Sequence, residues 1–262
     1  MSTLKSSAED LTLNADGSGN DVIIQSNAST KAIVTAEGTV GIGTDSPSRL
    51  LTLYGDTGIA LQNSTTGTGT GNGTHIWVNS EGSGELLIQN REDSDIEFYA
   101  DDTVRMRIDS TGAVTMPAQP AFLVYQTVSQ EISNAAQTTI TFTTEVTDRN
   151  ADYDGTSTFT APVTGLYLFT AQVVTDAGAS SDTRFGDANL YFVASNRTLR
   201  IRTGENESSA DDYISMSGSV LIDMDASDTI TVDAFYSRVG ASGSTDTIAS
   251  SSQTNFSGHL VC

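Results

Sequence analysis

The sequence predicts an all-β chain: a β-rich fibrous N-terminal region shared between several intertwined copies, followed by a β-sandwich. Three observations lead there. Gly, Ser, Thr, Asn and Asp are abundant while Lys and Glu, good helix formers, are scarce, which suits short strands joined by tight turns. Phrases of three to six strand-like residues closed by Asp, Gly or Asn recur along the first half. Finally, residues 166–171 place Leu166, Leu168 and Thr170 on one face and Tyr167, Phe169 and Ala171 on the other, so both faces are largely apolar. Such a strand is normally covered on both sides. One face fills the core of its own copy, and the other needs a partner.

Residues 1–10, MSTLKSSAED, are polar and patternless and read as an N-terminal anchor that orders on docking to other proteins of an assembly. They lack the apolar core of a signal peptide, and no run approaches the length of a membrane span. Ser2 and Lys5 match S-x-x-K by accident of composition. Residues 11–116 are weakly repetitive. LTLNADGSGNDVIIQSN, LTLYGDTGIALQNS and ELLIQNREDSDIEFYADD each join short strands through turns. IVTAEGTVGI (33–42) and IDSTGAVTM (108–116) share a strand, glycine turn, strand pattern. Large apolar residues are few, so a lone copy would bury too little surface to offset its ordering entropy, whereas intertwined copies share one core. Residues 65–74 read as a low-complexity, flexible surface loop without the ending of a phosphate loop. The prolines of MPAQPA (116–121) mark a stiff linker at 117–121, and a more aromatic domain occupies 122–262.

Within that domain, YDGTSTFTAPVTGLYLF (153–169) reads as strands at 156–161 and 166–171 around a turn in which Pro162 fixes φ and Gly165 can take a positive φ. Tyr153, Asp154, Phe159, Ala161, Pro162, Gly165, Tyr167 and Phe169 resemble the signature of the complement C1q and tumour-necrosis-factor jelly rolls, with Ser157 standing where that family carries glycine. ITF (140–142) is similar to an earlier strand of that family, residues 217–232 to its strand, turn, strand segment, and FSGHLV (256–261) to its closing strand. Ser227 departs from the usual glycine in the turn. The resemblance implies a C1q/TNF-like jelly-roll head and a homotrimer, with Tyr167, Phe169 and Phe256 at the trimer interface. The phrases LTLNADGSGNDVIIQSN and VGIGTDSPS (40–48) resemble segments of bacteriophage fibre and virion proteins.

The chain carries 33 acidic and 12 basic side chains, a formal charge of −21. That balance disfavours nucleic acid and anionic membranes, and it suits solubility at high density or in salt. Cys262 is the only cysteine, so no intrachain disulfide forms; a small apolar terminal residue and a link between chains are both open. The N-x-S/T triplets at Asn27, Asn63, Asn72, Asn196, Asn206 and Asn255 carry little weight in a polar β-rich sequence. No constellation for catalysis is found: His75 and His259 lie far apart, and His259 reads as structural or as a subunit contact. Asp93/Asp95, Asp101/Asp102 and Asp211/Asp212 read as solvated turns rather than a glycosidase pair. The Asn150, Asp152, Asp154, Gly155 run mimics an EF-hand start, but Ala161 stands where a glutamate is required. Asp223, Asp225 and Asp228 flank one turn, and either a solvated acidic turn or calcium held near a threefold axis is open. Arg197, Arg200 and Arg202 suit pairing with Glu205, Glu207 or Asp211, or contact with an anionic sugar or phosphate. The loop 175–185 is a second candidate contact.

The expected function is a non-enzymatic phage virion protein without a signal peptide, made in the host cytoplasm. It is a trimeric fibre attached to other virion proteins by its N-terminus, with heads that bind a host-surface glycan or protein. A capsid decoration or head fibre and a polysaccharide-degrading spike are the alternatives.

Overall fold

The computed structural model describes residues 13, 15, 17, 19–54, 58–79, 84–176, 185–206, 213–238 and 243–262. The anchor at 1–10, Asp211/Asp212 and most of the loop 175–185 lie outside these. The described residues are strands and turns, and they contain no helix long and apolar enough to cross a membrane. The chain packs as two compact units, residues 1–97 with 107–114 and residues 98–106 with 115–262.

In the first unit, β1 (Val22–Ser26), β2 (Ser29–Val34), β3 (Val40–Ile42) and β4 (Leu51–Leu53) form one sheet in that order. Asn27 and Ala28 both have positive φ, which gives the β1–β2 hairpin the turn twist that matches its strands. A second sheet contains β5 (Ile59–Leu61), β6 (Thr74–Val78) and β7 (Leu86–Asn90). A third combines β8 (Ile96–Ala100), β9 (Thr103–Ile108) and β10 (Val114–Thr115).

The two repeated phrases fold alike. Thr35 N–H donates to Thr39 O and Gly38 N–H to Thr35 O, as Asp109 N–H donates to Ala113 O and Gly112 N–H to Asp109 O. Both glycines have positive φ. Side chains reinforce each turn: Thr35 Oγ1 accepts the Thr39 N–H, and Asp109 Oδ1 accepts those of Thr111 and Ala113.

The second unit is a two-sheet sandwich. Its remaining strands are β11 (Ala121–Tyr125), β12 (Glu131–Ile132), β13 (Gln137–Thr139), β14 (Thr144–Asp148), β15 (Phe159–Thr160) and β16 (Gly165–Asp176). They continue with β17 (Phe185–Ala194), β18 (Thr198–Asn206), β19 (Tyr213–Met224), β20 (Thr229–Arg238), β21 (Thr245–Thr247) and β22 (Asn255–Leu260). One sheet runs β12-β21-β16-β22-β11-β14, with β19 also on β16. The other runs β13-β20-β17-β18, with β15 also on β20. Phe122, Phe142, Phe159, Tyr167, Phe169, Phe192 and Phe256 fill the space between, with Phe122 stacked on Phe159 at 4.8 Å and edge-on to Phe256 at 4.9 Å.

The C1q-like phrases have local physical reasons. The expected strand at 156–161 shrinks to β15 because the Asp154 carboxylate accepts the N–H groups of Thr156, Ser157 and Thr158, making a turn of those residues. Tyr153 O–H donates to Phe142 O, and Tyr167 O–H to Val163 O. Gly165 does not take the positive φ expected of it; a Cβ there would lie 2.6 Å from Leu260 and 2.8 Å from Cys262 O, so it lets the C-terminal strand close on β16. Gly258 is needed for packing, since a Cβ would lie 2.5 Å from Phe169 and 2.7 Å from Phe122.

Candidate functional site

The outward face of the larger sheet follows from its register. Leu221, Leu168, His259 and Ala121 form one row across β19, β16, β22 and β11. Ser219, Thr170, Ser257, Leu123 and Thr147 form the next, extending onto β14. Ser217, Gln172, Asn255 and Tyr125 follow. Leu221 is 54% exposed, Leu123 is 36% exposed and Val261 near the chain end is 46% exposed. The face is thus apolar at one end and hydroxyl-rich beyond it, where Thr170 Oγ1 and Ser219 Oγ lie 2.8 Å apart.

Tyr167, Phe169 and Phe256, expected at the trimer interface, are 0% exposed in a single copy. That expectation is corrected: aromatic bulk turned into the core of this chain, and the opposite face of the same strands holds the side chains another copy could touch. His259 stands exposed on that face. Cys262 is exposed with a free thiol, while its carbonyl accepts the Leu166 N–H.

The arginine strand is only partly as expected. Arg197, Arg200 and Arg202 are exposed on β18 or just before it, with Leu199 and Ile201 turned toward the core. Among the described residues their ion-pair partners are Asp223 for Arg197 and Asp187 for Arg202, the latter at 3.1 Å; the side chains of Glu205, Glu207 and Asp211 lie outside the described residues. Pairing of β17 with β18 brings Asp187 near, and Asp223 comes from β19 of the other sheet, neither of which sequence proximity reports. Arg200 has no ion pair among the described residues and sits opposite Tyr191, which in turn sits opposite Asp233.

The acidic turn does not gather its carboxylates. Asp223 pairs with Arg197, Asp228 Oδ2 accepts the Asp225 N–H at 3.0 Å, and Asp225 Oδ1 accepts the Thr164 hydroxyl at 3.5 Å. Among the described residues no group of three or more His, Cys, Asp or Glu side chains is placed to hold a metal ion. Ser227, where the resemblance calls for glycine, has φ of 79°. Nearby, Ala151, Asp152, Asp154, Thr160, Pro162 and Ser227 line an open cavity of about 360 Å³. Burial pushes the Asp152 carboxyl up, and its Oδ2 has no hydrogen-bond partner among the described residues. Burial also raises Asp154, but N–H bonds from Thr158, Ser157 and Thr156 outweigh it and hold that carboxyl at about 2.

The residues 65–74, expected to be a flexible excursion, are pinned. Asn63 Oδ1 accepts the N–H groups of Thr65 and Thr66, and Gln62 Nε2 donates to Gly69 O at 2.7 Å and Asn72 O at 2.9 Å. His75 Nε2 lies 3.0 Å from Asn72 O, and Gly73 N–H donates to Glu92 Oε1 at 2.6 Å. Polar side chains outside the glycine-threonine run do the pinning, so the run's own composition gave no sign of it. Beneath this loop lies a cavity of about 300 Å³ lined by Gly58, Ala60, Gln62, Thr68, Thr70, His75 and Trp77, among others. Neither Trp77 nor the enclosure was foreseen from sequence.

With the sandwich and its faces described, the comparisons decide the family. The C1q domain matches residues 121–261, more than half of the chain. The chain belongs to the C1q domain family. Among solved structures, it is similar to the globular domain of zebrafish complement 1qA protein at 19% identity, over 55% of this chain and 98% of that one, with a TM-score of 0.38. Murine APRIL at pH 8.5 gives 17% identity over 55% and 99%, with a TM-score of 0.36. The Eiger TNF of S. frugiperda gives 12% identity over 55% and 94%, with a TM-score of 0.35. The assignment rests on the domain match. No curated protein matches the chain.

Proposed function

We propose that the chain is a non-enzymatic binding protein that works as a homotrimer, a short fibre on a bacteriophage virion. In this reading residues 11–116 are the stalk, 117–121 the linker and 122–262 the C1q-type head, which binds a host-surface glycan or protein. The N-terminus attaches it to other virion proteins.

The observation that carries the trimer is unpartnered strand surface. Ile33 is the one buried hydrophobic side chain among the described residues of the stalk, while Leu50, Leu51, Leu53, Ile59, Leu61 and Ile88 are all exposed. In the head, Leu221 and Leu123 stand exposed on an otherwise closed sandwich. Each fully hidden leucine would contribute about 1.5–3 kcal/mol. A symmetric arrangement of three copies lets these surfaces cover one another. Threefold presentation then strengthens weak contacts made by each head.

The phrases resembling phage fibre proteins support the virion setting, and Arg200, exposed and without an ion pair among the described residues, supports an anionic group as the ligand. Host cells incubated with purified protein should then adsorb fewer phage, and the Arg200→Ala protein should compete less well while remaining assembled. Undiminished adsorption at saturating protein would remove host recognition, and labelled protein missing from particles would remove the virion setting.

A further inference from the structure

The cavity under the pinned loop belongs to the first unit and does not depend on the proposed role of the head. We infer that it is a binding site for one residue of a neutral saccharide.

Among the described residues its lining carries no carboxylate, lysine or arginine, although the chain has a formal charge of −21. The polar groups it offers are hydroxyls and amides: Thr68, Thr70, Gln62 and the backbone of Gly69, with the His75 ring beside them. Trp77 is its aromatic residue, edge-on to His75 at 5.8 Å and with the Arg91 guanidinium over its ring, 5.7 Å from the centroid. A flat apolar surface bordered by hydroxyl-type donors and acceptors matches a pyranose, whose ring presents C–H groups on a face and hydroxyls around its rim.

Trp77 lines the cavity with atoms other than Nε1, which is closed to solvent and has no hydrogen-bond partner among the described residues. The volume of about 300 Å³ is at the lower end of ligand pockets, enough for one ring and not for an extended chain. Because side-chain bonds from Gln62, Asn63 and His75 already hold the loop, little ordering remains for the ligand to impose.

Trp77 is the only tryptophan in the chain, so its fluorescence reports on this cavity alone. The full chain is titrated with glucose, galactose, mannose and N-acetylglucosamine to ~50 mM, with saturation-transfer NMR on the same samples. At least one sugar should change the Trp77 emission saturably, with a dissociation constant on the order of 1 mM. Ala60→Leu adds bulk from an exposed position in the lining and should weaken binding at least about tenfold. Thr68→Ala with Thr70→Ala provides the same test should the leucine disturb folding, and melting curves show which variants are folded. Silence from all four sugars, or wild-type affinity in folded variants of both kinds, would overturn the proposal. Emission that moves with protein concentration and not with sugar would overturn it as well, assigning the cavity to contact between copies.

Discussion

The two halves of this chain use the same vocabulary and reach different ends. In both, short strands are closed by Asx, threonine and glycine turns, and in both the turn bonds are complete: Asp109 holds its loop as Asp154 holds the one before β15. Yet the C-terminal half buries nine aromatic rings in its core, while the N-terminal half buries Ile33 and leaves its other leucines, isoleucines and valines half or wholly exposed among the described residues. Turn chemistry sets where a strand reverses. It does not supply a second layer, and a sheet whose apolar face stays uncovered gains little from burial. The C-terminal half therefore closes by itself, and the N-terminal half calls for neighbours.

Substitutions sharpen this contrast. Phe169→Ala should be the most damaging, lowering the unfolding free energy of the C1q domain by about 3–5 kcal/mol in denaturant melts, because a closed core cannot collapse around the lost ring. Gly258→Ala should follow at about 1–3 kcal/mol, since the new methyl meets Phe169 and Phe122. Leu51→Asp in the N-terminal half should shift the melt of the C1q domain by no more than about 0.5 kcal/mol, while lowering the mass of the particle. If Leu51→Asp instead unfolds the C1q domain, the two halves are not energetically distinct. Ser227→Gly should stabilise by about 0.5–1 kcal/mol, relieving a left-handed conformation that serine adopts unwillingly.

The smallest effect is one of pH. The Asp154 carboxyl is held at about 2, below its ordinary value, so its contribution is present above about pH 4 and is lost as pH falls toward 2. Asp154→Asn should be less stable than the parent at neutral pH, and the gap should close over that acid window. A gap that does not change with pH would mean that the turn bonds, and not the charge, matter there.

The fold was legible where local chemistry decides it. IVTAEGTVGI and IDSTGAVTM announced the same hairpin turn, and the alternation of LYLFTA announced a strand with two distinct faces. Less legible was which face turns inward: both were apolar, and the resemblance drew attention to Tyr167, Phe169 and Phe256, whose size in fact took them into the core. Pairing across the sheets was not readable either. Asp187 reaches Arg202 because β17 pairs with β18, and Asp223 reaches Arg197 from β19 of the other sheet. The cavity at Trp77 escaped because Gln62, Asn63 and Glu92, scattered around a featureless glycine-threonine run, give that run its shape.

Sedimentation equilibrium of the full chain at micromolar concentration tests the central claim most directly. The account predicts a single species of three times the mass of one chain, which loses mass when Leu221 and Leu168 are changed to aspartate while the C1q domain stays folded. A compact, stable single copy of the unaltered chain would contradict it.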